Sequence, residues 1–389
     1  MLRRFSLILV GLILISACMV NKEGKLVPLL PPPPAKQGAN KPGNQQQGGQ
    51  QGGQQGGQQQ GGLVKRDEFK PNGQRYRDKV FNAFDRVDEP FLQGLPTWNN
   101  QRAALNIEVY TPKGDQMKRR PCIVFYYGGA WASKMRQGFD VFSSELAMRG
   151  YVAVNGDYRV GFNQANMVAL CVGDPNRHMR EAMFRAVQDT KALIRHLRAN
   201  ADKYGIDPNR IYVAGGSAGG GNALGALYLE DSDVPDWIRK KIGSLESIGN
   251  HQNVSSLPNG VISLAGPLFA DPSALKKRNV PVYLLQGQCD ELIPWDYGKA
   301  FPHCTKNANM PMVMGCNALF NSLKEMGETV FFDVVCNGGH GSFEWGTVEL
   351  NRRMANFCFL VMNNQMRTGT NTFIPQKNTC PNKKFPGCP

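Results

Sequence analysis

Beyond residue 76, short β-rich apolar runs alternate with longer amphipathic stretches, and this alternation predicts an α/β protein with a mainly parallel sheet flanked by helices. The predicted strands are Leu105 to Tyr110, Cys122 to Tyr127, Tyr151 to Asn155, Ile211 to Ala214, Gly260 to Ala265, Val282 to Gln286 and Val330 to Val335. The predicted helices are Val141 to Arg149, Arg180 to Tyr204, Gly219 to Glu230, Cys316 to Met326 and Gly346 to Asn363. No internal repeat is visible.

The amino end follows a different pattern. Two arginines precede an almost wholly apolar run from Phe5 to Ala17, which is shorter than the roughly 20 residues a spanning helix needs and has the layout of an export signal. Ile15-Ser16-Ala17-Cys18 looks like a bacterial lipobox, with the Cys18 thiol as the nucleophile for lipid attachment. Met19 after the cysteine favours the outer membrane by resemblance to enterobacterial sorting. From Leu26 to Gly62 the chain is four prolines followed by Gln and Gly without an apolar residue from Gly43 onward. Such a segment cannot offset its own ordering entropy. The sequence therefore predicts a signal peptide over 1–17, a lipid-anchored disordered tether over 18–63, a catalytic domain over 64–365 and a Cys-containing tail over 366–389. The expected location is extracytoplasmic, held to the membrane by the amino-terminal lipid.

The net charge of +14 raises nucleic acid as a partner, but the Lys and Arg residues are scattered and no aromatic-basic RNA motif appears. A solvated basic surface, attracted to anionic envelope polymers, accounts for it more simply. Ten cysteines fit an oxidising compartment. The preferred bridges are Cys380–Cys388 and Cys304–Cys316, each closing a short loop. No pair of cysteines has zinc spacing, so no metal is expected.

One stretch carries chemistry. In "VAGGSAGGGNALG", Gly215-Gly216-Ser217-Ala218-Gly219 joins a buried-strand run to a small-residue helix, which places Ser217 on a tight turn with its hydroxyl exposed. The absence of a following G-K-[ST] excludes a phosphate loop. A serine nucleophile needs a base, and of five histidines His340 alone follows a strand end through a Gly-rich loop. The carboxylate that orients the imidazole is expected between serine and histidine in the chain. Asp290 is nearest a strand end, with Glu291 and Asp296 as competitors. Oxyanion donors are expected from the backbone N–H of Ala218 and, after the strand Cys122 to Tyr127, of Gly128 and Gly129.

With these residues in place the chain resembles the α/β-hydrolase superfamily, in its carboxylesterase, hormone-sensitive-lipase-like and feruloyl/acetyl-xylan-esterase-like branch. The resemblance spans about residues 76–363 and rests on "LNIEVYTPKGD", "YYGGAW", "VNGDYRVG", "YGIDPNRIYVAGGSAGGGNA", "LQGQCDELIP" and "NGGHGSFEW". It implies an α/β-hydrolase fold and a serine carboxylic-ester hydrolase with Ser217, His340 and Asp290 on the triad positions, Gly128, Gly129 and Ala218 on the oxyanion positions, and no cofactor. Tyr127 departs from the family, which usually has His there. Asp157-Tyr158-Arg159 matches a family D-Y-R in a structural role. The connection from Gly266 to Val280 leaves room for a small lid at most, with Phe69 to Asn100 and Asp231 to Leu257 as the stretches available to cover the site. Trp131, Tyr158 and Trp295 are candidate substrate contacts. The expected substrates are small or carbohydrate-linked esters. The alternatives are a polyester depolymerase or lipase, and a catalytically silent binding protein, whose usual mark is a missing triad residue.

Overall fold

The structure is a computed structural model that describes residues 18–20, 26–28, 74–134, 140–162, 171, 174–304, 309–341 and 347–373. The chain divides into two units, residues 1–65 and 66–389. In the first, β1 (Cys18–Val20) pairs antiparallel with β2 (Leu26–Pro28), within the stretch expected to be without structure. The signal residues 1–17 and the rest of the tether through residue 63 lie outside the described residues.

The second unit is built on β3 (Phe84–Pro96), β4 (Arg102–Pro112), β5 (Arg120–Tyr126), β6 (Val152–Gly156), β7 (Ile206–Gly216), β8 (Gly260–Leu264) and β9 (Val282–Gly287). β10 (Tyr297–Lys299) and β11 (Met312–Met314) form a small separate pair, and β12 (Val330–Val335) and β13 (Gly369–Phe373) complete the main sheet. Its nine strands run in the order β13-β12-β9-β8-β7-β5-β6-β4-β3. All neighbours from β13 to β6 are parallel, whereas β4 and β3 join antiparallel at one edge. β5, β6, β8 and β9 are buried at every position, because helices cover both faces of a parallel sheet.

The helices are α1 (Asp140–Ala147), α2 (Pro175–Ala199), α3 (Ala201–Tyr204), α4 (Ala218–Tyr228), α5 (Asp236–Ile242), α6 (Cys316–Glu325) and α7 (Thr347–Met362). Buried side chains of α1 and α7 pack on one face of the sheet, those of α2, α4 and α6 on the other. α2 begins on Asp174, whose carboxylate accepts from Arg177 N–H at 3.2 Å, with Pro175 in the first helical position. Arg159, just past β6, forms a 2.8 Å ion pair with Asp189 on α2; both side chains are buried, and burial raises the Asp189 pKa against the pull of the guanidinium. Among the described residues no helix is long and apolar enough to cross a membrane.

Four sequence expectations change. β3 went unpredicted because it is an edge strand, mostly exposed, and carries Pro90, Pro96 and three acids; its pairing with β4 shifts register between Pro90 and Leu95. The supposed tail contributes β13, which pairs in parallel with β12. Of the two stretches available to cover the site, Phe69 to Asn100 contributes the edge strand β3, its residues 69–73 lying outside the described residues, and the later part of Asp231 to Leu257 runs along α2, held by Gln188 to Ser244 O, Arg195 to Ile248 O and Arg198 to Leu257 O. Cys304 is bonded to Cys171, not to Cys316. Cys316 is a free thiol in the core, because the start of α6 is drawn inward by its N–H bond to Gln286 Oε1 at 2.8 Å. Cys289 and Cys336 are also disulfide-bonded, and Cys380 and Cys388 lie outside the described residues.

Candidate active site

Ser217 sits between the last residue of β7 and the first of α4, at φ 53° and ψ −121°. A side-chain-bearing residue in the left-handed region is strained and persists only where its surroundings hold it. Here Ser217 N–H donates to Leu264 O at the end of β8 (2.8 Å), and Ser217 O accepts from Gly221 N–H (3.0 Å). The glycines make that turn possible by close approach: a Cβ on Gly215 would lie 2.3 Å from the Gly219 carbonyl carbon, and one on Gly219 would lie 2.0 Å from Tyr126 O. Both obstacles are backbone atoms and cannot rotate away. Gly219→Ala is therefore expected to destabilise the fold by about 3 kcal/mol, the upper end of the overpacking range, read as a lowered midpoint in urea against wild type.

His340 reaches the serine from 123 residues downstream, on the turn that follows β12. Its Nε2 lies 2.8 Å from Ser217 Oγ, and its Nδ1 lies 2.9 Å and 3.0 Å from the two carboxylate oxygens of Asp290. The Asp290 side chain is fully buried. Its Oδ1 accepts from Leu292 N–H and Ile293 N–H, both at 2.9 Å, and its Oδ2 from Gln286 Nε2 at 3.1 Å. Four donors fix the carboxylate in one orientation. The competing acids do different work: Glu291 Oε2 accepts from the backbone N–H of His340 (3.1 Å), and Asp296 accepts from Asn317 (2.6 Å). The other histidines are elsewhere, His196 on Tyr204, His178 against Phe162, His251 beside Asn200 and His303 on Glu291 O.

The loop after β5 lies against the serine. A Cβ on Gly128 would meet Ser217 Cβ at 3.1 Å and Gly216 O at 3.2 Å. Gly129, Ala130 and Trp131 then follow with φ of 106°, 53° and 59°. Among the described residues nothing accepts from the N–H groups of Gly128, Gly129 or Ala218, and Ala218 as the first residue of α4 has no acceptor within the helix.

Two of the three candidate substrate contacts turn out to be braces for this loop. Trp131 is 1% exposed; its Nε1 donates to Asn222 on α4 (2.7 Å) and its ring meets Phe269 edge-on. Tyr158 is 2% exposed and stacks on Tyr127 with ring centroids 4.5 Å apart. Its hydroxyl shares one proton between Tyr127 O (3.0 Å) and Gly128 O (3.2 Å). Burial raises the Tyr158 pKa well above that of a free phenol, so it stays a donor. The indole and phenol sit in the core because their polar tips find partners there. Trp295 is partly buried and packs on Phe332, 5.3 Å between centroids.

Sequence reasoning passed over Gln286, Glu291 in its present role, and Asn222. Gln286 had a signal, a lone amide ending the otherwise apolar run Val282 to Leu285. Buried there at 0% exposure, it ties the acid's loop to α6 by donating to Asp290 and Ile293 O and accepting from Cys316 N–H.

Residues 107–267 match the family described as BD-FAE. The chain is 29% identical over 221 residues to Esterase LipC of Mycobacterium tuberculosis, covering 50% of each protein. It is 32% identical over 177 residues to arylacetamide deacetylase of Oryctolagus cuniculus, covering 43% of this chain and 39% of that one. It thus spans half or less of the length of these two relatives. Among solved structures it is similar to Thermogutta terrifontis esterase 2 phosphoramylated by tabun, with a TM-score of 0.51, 22% identity, and coverage of 72% of this chain and 96% of that one. Sheet order, the serine turn between β7 and α4, and this structural likeness agree that the chain has an α/β-hydrolase fold.

Proposed function

We propose that the chain is a serine hydrolase of the carboxylesterase type, acting on small or carbohydrate-linked esters through an acyl-enzyme. The observation that carries this reading is the unbroken line of hydrogen bonds from Ser217 Oγ through both ring nitrogens of His340 to the buried Asp290 carboxylate, 2.8 Å and 2.9 Å long. Serine hydroxyls are poor nucleophiles at neutral pH, and an imidazole that takes the proton as the bond to carbon forms removes that limit. The similarity to proteins named esterase and deacetylase supports the same chemistry.

Ser217 Oγ attacks the ester carbonyl while its proton passes to His340 Nε2. The carbonyl oxygen becomes an oxyanion, and the N–H groups of Ala218, Gly128 and Gly129 are the available donors. Each such donor is worth about 3 to 4 kcal/mol in a comparable enzyme. His340 then returns the proton to the departing alkoxide, leaving an acyl-serine. Water enters, gives its proton to His340 and attacks the acyl carbon; the proton passes back to Ser217 as the carboxylic acid leaves. Asp290 holds the Nδ1–H tautomer and stabilises the imidazolium in both halves.

The test is a fluorophosphonate probe on the protein, with the adduct mapped by mass spectrometry. Phosphonylation is expected at Ser217 alone, abolished by prior heating and sharply slowed in His340→Ala. Labelling at another serine, or equal labelling without the imidazole, overturns the reading.

A further inference from the structure

α2 connects the end of β6 to the start of β7, and because those strands are parallel it runs back antiparallel to them. Its first turns therefore lie toward the carboxyl ends of the strands, the edge of the sheet at which Ser217 stands. The level is set by Arg185, which donates to Gly161 O; Gly161 N–H in turn donates to Trp131 O in the loop beside the serine (2.7 Å). At about 1.5 Å per residue, Arg180 and Arg177 stand roughly 7 to 12 Å from Arg185 along the helix, toward its amino end. There a depression of about 380 Å³ is lined by Asp174, Asn176, Arg177 and Arg180 at the start of α2 and by Pro235 and Trp237 at the start of α5.

We propose that this depression is a subsite for the carboxylate of an anionic ester, held by Arg177 and Arg180 over the indole of Trp237. The proposal rests on the esterase reading above and names the class of substrate that reading leaves open.

Among the described residues neither cation has an acid of its own. Arg177 lies over the Trp237 ring, 4.9 Å from its centroid, and Arg180 uses Nε on Asn176 Oδ1 (2.9 Å), which leaves its two terminal nitrogens. Among the described residues no carboxylate pairs with either guanidinium. Glu181 pairs with Arg185 and Lys241, and Asp174, in the lining, caps the helix through Oδ1, which accepts from Arg177 N–H and Asn309 Nδ2. Arg180 is half-buried, and burial lowers its pKa while Tyr297 opposes the shift. A desolvated guanidinium without a counter-ion gains most from an anion, and its planar fork fits a carboxylate with two parallel hydrogen bonds. The flat indole below, already holding one cation, offers a surface for the ring or chain that bears the charge.

The carboxylate can belong to either half of the ester, so the test has two arms. For the acyl half, 4-nitrophenyl hemiesters of adipic through azelaic acid are compared with 4-nitrophenyl esters of monocarboxylic acids of equal length. For the alcohol half, 4-acetoxybenzoate is compared with its methyl ester. In at least one arm the charged member is expected to show a kcat/KM about tenfold higher at low ionic strength, with the advantage shrinking as salt screens it. In the R177Q/R180Q variant the ratio should fall toward one. Equal rates for charged and neutral members in both arms of wild type, or an equal loss on both members in the variant, overturn the subsite. Calorimetry with benzoate reads the same site without turnover. Binding to wild type that the double variant loses supports the subsite even if no ester is hydrolysed, in which case the esterase reading fails alone; benzoate binding unchanged by the two substitutions sinks the subsite.

Discussion

Ser217→Ala is expected to lower kcat for a 4-nitrophenyl ester by about 10⁶-fold, the loss seen when a comparable triad loses its nucleophile. His340→Ala should cost about as much, and the double variant should be no worse than either single one. The reason is geometric. Ser217 Oγ and His340 Nε2 share one hydrogen bond of 2.8 Å, and neither group performs any step without the other. Removing the imidazole leaves a hydroxyl that keeps its proton; removing the hydroxyl leaves a base with nothing to activate except water. What survives in all three is substrate binding and the oxyanion donors, together worth about 10³ to 10⁴ over water. Steady-state kinetics on the three proteins, with far-UV circular dichroism to show that each is folded, read the prediction directly. Losses that multiply in the double variant would mean that the two groups act independently and would break the proposed mechanism.

The parts of this molecule that could be read from sequence are those whose physics is local. β5, β8, β9 and β12 announce themselves as apolar runs because both faces of the sheet are covered there. β3 and β13 do not: FDRVDEPFLQGLP and GTNTF are edge segments that meet solvent, so tertiary pairing decides their conformation and hydrophobicity does not. The first half of β7, IDPNR, reads as a loop because of its proline, and its pairing with β5 carries a register shift at that point. The serine turn was legible because the glycine density that permits it is itself in the sequence. The partners that hold it in place were not. Tyr158 on the carbonyls of Tyr127 and Gly128, and Glu291 on the backbone of His340, depend on chain crossings 30 to 49 residues apart. The Cys171–Cys304 bridge, 133 residues apart, is equally invisible to a rule that favours short loops.

Long-range geometry also bears on which acid serves the imidazole, where the sequence favours Asp290 for its place nearest a strand end, with Glu291 and Asp296 as competitors. Asp290→Asn is expected to lower kcat by about 10⁴-fold with little change in KM, as an acid-to-amide change does in a comparable triad. An amide offers one oxygen and one NH₂ where the carboxylate offered two acceptors. Two backbone donors, Leu292 N–H and Ile293 N–H, meet at Oδ1, so the amide oxygen takes that place. The NH₂ then occupies the Oδ2 position, facing Gln286 Nε2 and His340 Nδ1. The amide oxygen, 3.0 Å from Nδ1, already accepts two backbone N–H groups, so the NH₂ makes the contact with His340 by donating to Nδ1, which moves the ring proton to Nε2 and leaves the nitrogen at Ser217 unable to accept. Glu291→Gln is the matched control, since its amide oxygen still accepts from the His340 backbone N–H and the ring keeps its tautomer. That variant should stay within about tenfold of wild type, the cost of weakening one charge-assisted hydrogen bond. If Glu291→Gln fell as far as Asp290→Asn, or if Asp290→Asn kept most of its activity, the carboxylate buried behind the imidazole would not be the one that orients it.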